Sequence, residues 1–320
     1  MQVSVVICGY TLERTDVLFE CIESVLAQTY DPIEIVVVID GNPELRSVVD
    51  DRFGDENSIV IVENDENRGI SYSRTRGAEE ASGEIVAFID DDGVAESDWI
   101  ETLLGVYDET DAVAVGGYVA PNWVEGKPSF FPEEFYWLVG CTERGFATDM
   151  DEVRNTYGSN ISYRRDVFLE VGGYDVNTGR KGDRHIQAHE APVGIRIREA
   201  TGKGMVYVED AVVHHTLFAY RGHFRWLVAR SFWQGVSKRL MDQLYAETYG
   251  DEGAFLRTLC LRFLPSRIRK AVFGPSLTQV KQIAAIVVFT GAVGVGYLYG
   301  VFAIDVSQDH PSASIESGGS

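Results

Sequence analysis

The chain has 320 residues, of which 45% are hydrophobic, and its 49 acidic side chains against 28 lysines and arginines give a formal charge of −21. This apolar content supports a packed core and excludes wholesale disorder, while the acidic balance argues against a nucleic-acid partner, which requires a basic surface. Only six of the cations are lysine. An acidic, lysine-poor surface stays hydrated in molar salt, so the composition favours a halophilic protein over an ordinary acidic one.

The four cysteines are scattered and form no CxxC pair, which argues against a zinc site. Cys8 and Cys21 lie in apolar patterns that are typical of reduced core residues in a cytosolic protein. The chain starts directly with a strand pattern and no basic segment precedes it, so we expect no signal peptide.

Short apolar runs alternate with amphipathic stretches through the first 116 residues. The runs are continuous and rich in β-branched residues, as in strands buried on both faces of a sheet. The alternation predicts an α/β fold with a mostly parallel, Rossmann-like sheet and flanking helices. The predicted strands are Val3–Cys8, Ile35–Ile39, Ile59–Val62, Ile85–Ile89 and Ala112–Val115, and the predicted helices lie near Val17–Gln28, Glu44–Phe53, Ile70–Ala81 and Asp98–Tyr107.

The stretch from Pro121 to His215 is less regular and is rich in glycine, aromatic and charged residues. Such a stretch is typical of loops and short strands that build a site on a rigid scaffold. Residues 221–245 follow as a predicted helix, whose aromatic side chains we expect to pack rather than to stack on a ligand.

A run of 22 uncharged residues, Ile283–Ile304, lies near the C-terminus. As a helix it would be about 33 Å long, against about 30 Å of bilayer hydrocarbon, so it predicts a transmembrane helix, with a buried core helix as the alternative. Ala292, Gly296 and Gly300 add a small-residue stripe of the kind that pairs helices in membranes, which indicates association through this helix.

The flanks of this run predict its orientation. Six lysines and arginines lie between Arg257 and Lys281, whereas the tail after the run has none. The positive-inside rule then places residues 1–280 in the cytoplasm and the short tail outside. The stretch Phe263–Phe273 fits a basic segment that lies on the membrane surface, and the tail from Ser307 is expected to be disordered.

Three consecutive carboxylates, Asp90 to Asp92, directly follow a predicted buried strand. Ligands of open α/β sheets bind outside the carboxyl ends of the strands, where carboxylates attract a hard divalent cation that bridges the phosphates of a nucleotide. The position at a strand end therefore favours a metal site over plain surface charge.

Two further segments carry candidate binding residues. Asp40 ends the second predicted strand, where its carboxylate is placed to accept a hydrogen bond from a base or ribose, or else to form a turn before Gly41. Arg74 and Arg76 lie near the start of a predicted helix, an arrangement that suits phosphate binding and equally suits surface salt bridges.

Five motifs occur in order along the first 220 residues: the first strand through Gly9-Tyr10, Glu23–Tyr30, Asp40-Gly41-Asn42, Asn67-Arg68-Gly69 and the three aspartates. In this respect the chain resembles the family 2 glycosyltransferases, which have the GT-A fold. More narrowly, three segments are similar to haloarchaeal membrane enzymes of N-glycan assembly that add glucuronate to glucosyl-dolichyl phosphate. These segments are Phe131–Gly140, Gly158–Ser162 and the glycine-bearing C-terminal run.

The resemblance implies a division of the chain into four parts. Residues 1–220 would form the GT-A domain, residues 221–280 a helical, basic membrane-proximal region, residues 281–306 the transmembrane helix and residues 307–320 a disordered tail. The implied partners are a UDP-sugar donor, a dolichyl-phosphate-linked sugar acceptor and membrane lipid. The implied cofactor is Mg²⁺ or Mn²⁺, and the implied place is the cell membrane, with a single-pass anchor and a cytoplasmic catalytic domain.

The resemblance also implies how the donor is held. Tyr10 and Asp40 would hold the uracil, and Arg74 would support the nucleotide phosphates.

The implied metal ligands come from the aspartate triplet and from a late histidine. Asp90 and Asp92 match the family's DxD pattern, Asp92 would bind the metal directly, and Asp91 lies between them in the donor site. His215 matches the family's histidine after a late strand and would reach the metal or the diphosphate, with a core histidine as the alternative.

The family's catalytic base is usually the Asp of a Gly-Glu-Asp motif. Ala188-His189-Glu190 lies at the matching place, so Glu190 is the expected base, with Asp183 next and an exposed halophilic carboxylate as the alternative. The altered motif also supports a competing hypothesis, a nucleotide-sugar-binding homologue without catalysis. An NAD-linked dehydrogenase is excluded, since no GxGxxG follows the first strand.

The loop Gly179–Arg184 supplies three cations just before the predicted base. A buried glucuronate carboxylate needs a cationic partner, and arginine can grip it with two parallel hydrogen bonds. We therefore expect Arg180 and Arg184 to select UDP-glucuronate over UDP-glucose, unless these cations contact the diphosphate or the lipid phosphate of the acceptor instead.

Overall fold

The computed structural model describes residues 1–175, 190–244 and 250–303, and strands alternate with helices through its N-terminal part as predicted. The strands are β1 (Val3–Gly9), β2 (Ile33–Asp40), β3 (Ile59–Asn64), β4 (Ile85–Asp90), β5 (Gly93–Ala95), β6 (Ala114–Trp123), β7 (Glu152–Val153), β8 (Ile161–Arg164) and β9 (Met205–Leu217). The α-helices are α1 (Thr15–Leu26), α2 (Pro43–Phe53), α3 (Ile70–Glu80), α4 (Trp99–Glu109), α5 (Arg165–Glu170), α6 (Glu190–Thr201), α7 (Phe224–Leu244), α8 (Gly250–Thr258), α9 (Leu264–Phe273) and α10 (Leu277–Ala303).

The strands form a mixed sheet in the order β3-β2-β1-β4-β8-β6-β9-β5, with β7 paired to β9. Strands β1 to β4 run parallel to one another, as the strand–helix alternation predicts. In contrast, β8 enters antiparallel between β4 and β6, and the short β5 runs antiparallel to β9. The predicted α/β fold is confirmed, and the sheet is mixed because its later strands are not all linked by helical crossovers.

Helices cover both faces of this sheet. Apolar side chains of α1, α2 and α4 pack on one face, and those of α3, α5 and α6 pack on the other. Strands that are covered on both faces have continuous apolar sequences, which is why β1 to β4 were predictable. The polar loops at the carboxyl ends of these strands are left to build a site.

A third apolar cluster joins the motif Phe131–Gly140 to the C-terminal helices. Phe131 and Phe135 pack against Phe289 of α10, with ring centroids 6.1 and 5.6 Å apart, and Leu227 of α7 is buried in the same cluster. The first half of α10 therefore belongs to the folded core.

A buried ion pair ties α9 to the same motif. The Glu134 side chain is fully buried and accepts hydrogen bonds from Nε and Nη2 of Arg267, at 2.9 and 2.5 Å. Nη1 of Arg267 donates to Gln282 of α10 at 2.5 Å. Arg267, which the sequence analysis counted with the basic flank, therefore connects α9 to the motif Phe131–Gly140 and to α10.

Helices α7 and α10 pack along much of their length and run in the same direction. Contacts progress from Phe224 against Phe289 to Phe232 against Tyr299. A Cβ atom on Gly296 would overlap the Phe232 carbonyl, so only glycine allows the two backbones to approach this closely. The small-residue stripe of α10 therefore forms a helix pair within the chain.

The opposite face of α10 is apolar and exposed. By length and composition, α10 is the one helix within the described residues that could cross a membrane, and 28% of its most apolar window is buried. Its exposed side chains include Leu298 and Phe302, at 57% and 86% exposure, and Val272 and Phe273 of α9 are exposed to 68% and 81%. Helices α9 and α10 thus both carry exposed apolar side chains.

Candidate active site

The carboxyl ends of β1, β2 and β4 meet at one edge of the sheet, because these strands are parallel. Asp40 ends β2, Asp90 ends β4, and Asp91 and Asp92 follow directly. A cavity of about 870 Å³ extends from this edge to one face of α7, and the four carboxylates line it together with Tyr10. The position matches the place where open α/β sheets bind ligands.

Strand pairing brings His215 to the aspartate triplet. In the antiparallel pair of β5 and β9, His215 lies opposite Gly93, and the backbone N–H of Thr216 donates to the Asp92 carbonyl at 2.8 Å. As a result, Nε2 of His215 lies 3.2 Å from Oδ1 of Asp92, and both side chains are buried. The pairing of β5 with β9 thus brings together His215 and Asp92, which lie more than a hundred residues apart in the sequence.

Two arginines neutralise the same carboxylates. Nη1 of Arg14 lies 3.1 Å from Oδ1 of Asp91 and 3.3 Å from Oδ2 of Asp92. Nη2 of Arg221 donates to Oδ2 of Asp92 at 3.2 Å, and its Nη1 lies 2.6 Å from Nε2 of His215. Sequence reasoning missed both arginines, although Arg14 lies only a few residues beyond the end of β1, at the edge where ligands were expected.

The crowding of charge shifts the ionisation of these groups. Burial raises the pKa of Asp91 to about 7, the neighbouring Asp92 charge adds to the rise, and Arg14 opposes it. Burial would also raise the pKa of Asp92, but His215, Arg221 and Arg14 outweigh it and hold that pKa well below its usual range. Asp92 is therefore a permanent carboxylate, whereas Asp91 retains a proton more easily.

Burial and the Asp92 carboxylate shift the pKa of His215 in opposite directions. Burial lowers the pKa of its imidazole, while the Asp92 carboxylate raises it and prevails, to about 10. The guanidinium of Arg221 lies 2.6 Å from Nε2 and can only donate, so it competes with Asp92 for this nitrogen. The imidazole thus owes its proton to the Asp92 charge.

The cluster fits a divalent cation. Within the described residues, no group of three or more His, Cys, Asp or Glu side chains surrounds a ready-made metal position. Asp92 and His215 present an oxygen and a nitrogen 3.2 Å apart on the cavity wall, and they would bind a metal together only after the imidazole has lost its proton and the Arg221 guanidinium has moved from Nε2. Burial and then the neighbouring Asp92 charge raise the pKa of Asp91, and a bound cation would lower it again.

Arg74 links the aspartates to the predicted base. Its buried side chain donates from Nη2 to Oδ1 of Asp90 at 2.5 Å and to the Gly158 carbonyl at 2.9 Å. Nη1 of the same guanidinium lies 3.8 Å from Oε1 of Glu190, which begins α6 and lines the cavity. A Cβ atom on Gly158 would overlap both the Arg74 guanidinium and the Glu190 carboxylate, so glycine here keeps the pair together.

Asp40 has a defined structural role at the cavity edge. Its Oδ1 accepts from the backbone N–H of Arg68 and from Asn64, at 2.9 and 2.8 Å, and its Oδ2 accepts from the N–H of Gly69 at 2.8 Å. The carboxylate thereby holds the turn that leads into α3. Tyr10 is half exposed at the same edge, where its ring is open to a ligand.

The rest of the cavity wall combines a helix that was not predicted to line a site with parts of the stretch Pro121–His215, which was expected to build one. It is one face of α7, together with the turn Trp137–Gly140 and the segment 154–159. Trp226 of α7 lines the cavity, while Phe232 of the same helix packs on α10, so the predicted packing role holds for only part of its aromatic side chains. Arg180, Arg184 and Asp183, which were expected to border the sugar or to replace the base, lie outside the described residues.

Comparisons with known proteins agree with this geometry. Residues 4–172 match the family model described as glycosyl transferase family 2. The glucosyl-dolichyl phosphate glucuronosyltransferase of Haloferax volcanii is 62% identical over 302 residues, which make up 94% of this chain and 96% of that protein.

Two solved structures share the fold. A mannosyltransferase of Pyrobaculum calidifontis, in complex with GDP-Man and Mn²⁺, superposes with a TM-score of 0.62 at 15% identity and covers 95% of this chain and 88% of that chain. The S. aureus TarS fragment 1–349 with UDP-GlcNAc gives a TM-score of 0.52 at 15% identity, over 92% of this chain and 82% of that chain.

Proposed function

The chain belongs to glycosyl transferase family 2, and we propose that it transfers glucuronate from UDP-glucuronate to a dolichyl-phosphate-linked glucose in protein N-glycosylation. The observation that carries this substrate assignment is the 62% identity to the Haloferax volcanii enzyme over 94% of the chain. A nucleotide-sugar-binding homologue without catalysis is the weaker hypothesis, because Glu190 lines the cavity beside Arg74.

The strand-end half of the cavity, formed by the residues at the carboxyl ends of β1, β2 and β4, is the proposed donor site. Tyr10 offers an exposed ring for the uracil, and Asp40 holds the turn that faces it. Arg14 and Arg221 offer guanidinium groups for the diphosphate next to the aspartates. Arg74, buried between Asp90 and Glu190, acts by holding those two carboxylates in place.

Asp92 and His215 would hold Mg²⁺ or Mn²⁺, the latter being the ion present with the Pyrobaculum calidifontis relative. When bound, the cation supplies positive charge for the leaving diphosphate. The chain's own contribution to the same charge is the Arg221 guanidinium, which contacts both Asp92 and His215. Asp90 and Asp91 complete the donor site through their contacts with Arg74 and Arg14.

Glu190 is the proposed general base of an inverting transfer. It takes the proton of an acceptor hydroxyl, whose oxygen forms a bond to the anomeric carbon from the side opposite to UDP. The bond from that carbon to the diphosphate oxygen breaks, and UDP leaves with the electron pair. Arg74, whose Nη1 lies 3.8 Å from Oε1 of Glu190, holds this carboxylate at the cavity.

The apolar face of α10 and the exposed side chains of α9 are the proposed membrane contact. The bilayer is the occupant that fits, because residues such as Phe273 and Phe302 are exposed to 81% and 86% and the cations Arg269 and Lys270 flank the α9 surface. We propose that the uncovered face of α10 anchors the chain to the membrane, with the catalytic domain on the cytoplasmic side, as the basic flank indicates. A single-pass span would have to carry the packed face of α7 into the bilayer with it, because Gly296 and Gly300 contact that helix.

A donor competition on the full chain tests the function. UDP-glucuronate and UDP-glucose are offered together to membranes that contain the enzyme and a polyprenyl-phosphate-linked glucose, and the products are identified by mass. Preference for the uronate supports the assignment. Equal use of both donors, or preference for the neutral sugar, would reject it and leave a generic hexosyltransferase. UDP release in neither reaction would favour the non-catalytic homologue.

Membrane contact is tested on the full chain as well, because removing α10 would take Phe289 out of the core. Leu298→Glu and Phe302→Glu on the exposed face of α10 should release the protein from washed membranes. Val124→Glu, at a loop side chain exposed to 62%, is the control and should not. Labelling of Ser314→Cys from outside intact cells then separates a spanning helix from one that lies on the inner surface.

A further inference from the structure

Helix α7 forms one wall of the cavity and presents a polar face to it. The residues of this face lie three or four positions apart, except for one adjacent pair, over fifteen positions, which corresponds to about 22 Å of helix. They are Trp226, Arg230, Gln234, Ser237, Lys238 and Met241. Nothing in the proposed donor chemistry uses this face.

The charges on this wall differ from those at the strand ends. Among the described lining residues, the carboxylates are Glu190 and the aspartates at the strand ends, whereas α7 contributes Arg230 and Lys238. Lys238 also interacts with the carboxylate of Glu143, but among the described residues of α7 that line the cavity the charged side chains are both cations, so cations are in excess on this wall. Such an excess in a concave site suits an anionic ligand.

Both cations are placed by the same turn. Nε of Arg230 donates to the Leu138 carbonyl at 3.2 Å, and the ammonium of Lys238 lies 5.7 Å from the centre of the Trp137 ring. These contacts fix the side-chain stems against the motif Phe131–Gly140 while both residues line the cavity. Gln234 lies between them on the same face and adds an amide donor.

The other face of α7 points to the lipid-facing part of the molecule. A Cβ atom on Gly235 would overlap the Val293 carbonyl of α10, so the two backbones are in contact. The cation-bearing wall is therefore one helix diameter away from the helix that carries the exposed apolar face. An anion that is covalently attached to a lipid would meet both surfaces at once.

We infer that Arg230 and Lys238 bind the phosphate of the lipid-linked acceptor, while its sugar reaches toward Glu190. This inference rests on the proposed function for the identity of the acceptor. The ligand chemistry is a phosphodiester, singly charged, with a sugar on one side and a polyprenyl chain on the other. The donor's uronate carboxylate is the other anion available to these cations, and the experiment separates the two.

The test uses the full chain with Arg230→Met and Lys238→Met, which keep apolar stems and remove the charge. A short-chain polyprenyl phosphate carrying glucose is titrated, and acceptor KM, donor KM and kcat are measured separately. Acceptor KM should rise about tenfold in each variant while kcat and donor KM stay unchanged, because a charge-assisted hydrogen bond is lost. Arg225→Met, at an exposed position of α7 that does not line the cavity, is the matched control.

Two further measurements keep the result specific. An alkyl glucoside without phosphate should be used equally poorly by the parent and by both variants, and Lys238→Arg should restore most of the acceptor affinity. Binding of the glucosylated lipid phosphate is also followed by tryptophan fluorescence, since Trp137 and Trp226 line the cavity. This binding reports on the inference even if the parent protein shows no turnover, which would count against the proposed function alone.

The outcomes that overturn the inference are distinct. A rise in donor KM, with acceptor KM unchanged, would assign the cations to the uronate. An equal loss with the alkyl glucoside would show a merely structural effect on α7. Unchanged binding and kinetics in both variants would show that the acceptor phosphate does not bind at this wall.

Discussion

The strand-end half of the cavity and the α7 wall differ in how they are built. The first takes its side chains from the ends of β2 and β4, so Asp40 and the aspartate triplet are brought together by the parallel sheet alone. The second takes its side chains from a helix that follows the sheet, and from the turn Trp137–Gly140. Functional residues at strand ends can be recognised from the local sequence, whereas the position of the α7 wall depends on how the core around Phe289 packs.

The two halves also differ in charge. At the strand ends, carboxylates alternate with the guanidiniums of Arg14, Arg74 and Arg221, an arrangement that suits a cation and a diphosphate together. On α7, the charged side chains that line the cavity are those of Arg230 and Lys238, and both are cations. The first half is thus adapted to reaction chemistry and the second to holding an anion.

The largest expected loss is at the strand ends. Asp92→Asn should abolish most UDP release, since the residue contacts His215, Arg221 and Arg14 and is the proposed metal ligand. Activity is measured with added Mg²⁺ or Mn²⁺ and after chelation. Asp98→Asn, an exposed residue beyond the same strand end, is the control. Full activity of the parent enzyme after chelation would contradict the metal role.

Glu190→Gln should lower kcat by about a hundredfold, because the amide cannot accept the acceptor's proton. Donor affinity should change little, since the substitution is nearly isosteric and Glu190 lies on the side of Arg74 away from Asp90. Glu199→Gln, exposed on the same helix, should leave both unchanged. Normal turnover of Glu190→Gln would place the base elsewhere, with Asp183 next.

Gly158→Ala should reduce kcat by about tenfold, because the added methyl group displaces the Arg74 and Glu190 side chains from each other. The free energy of unfolding should stay close to that of the parent enzyme, and acceptor KM should change by less than the fold-change in kcat. Gly105→Ala in α4, where an added Cβ meets no atom within 4 Å, provides the comparison. If both variants retain full activity, the two ends of the Arg74 guanidinium are not coupled in catalysis.

The smallest effect on turnover per folded molecule is expected from Glu134→Gln. Loss of the buried carboxylate leaves Arg267 without its ion pair and should lower the free energy of unfolding by about 3 kcal/mol. Denaturant titration at high salt measures this change. Glu133→Gln, which loses only the exposed pair with Lys127, should cost less than about 1 kcal/mol. Equal stability of the two variants would mean that Glu134 does not fix α9.

The parallel strands and the residues at their ends could be predicted without the structure. Continuous apolar runs can be recognised because strands covered on both faces must be apolar throughout, and the residues that follow them must be polar. The aspartate triplet and Asp40 were identified in this way, and Arg74 from its place near the start of a predicted helix. The resemblance in motif order then indicated His215 and Glu190. The same reasoning could not predict β5 or β8, since strands of three or four residues are too short to show a recognisable apolar pattern.

Which distant groups meet depends on the tertiary structure. Arg14 reaches Asp92 because β1 pairs with β4, and Arg221 reaches it because β5 pairs with β9, contacts that no local pattern records. The uncharged C-terminal run illustrates the same limit. Its composition fits a membrane helix, yet one half is packed on the core, and Gly296 and Gly300 contact α7. Burial depends on which surfaces remain uncovered after the sheet and its helices have assembled.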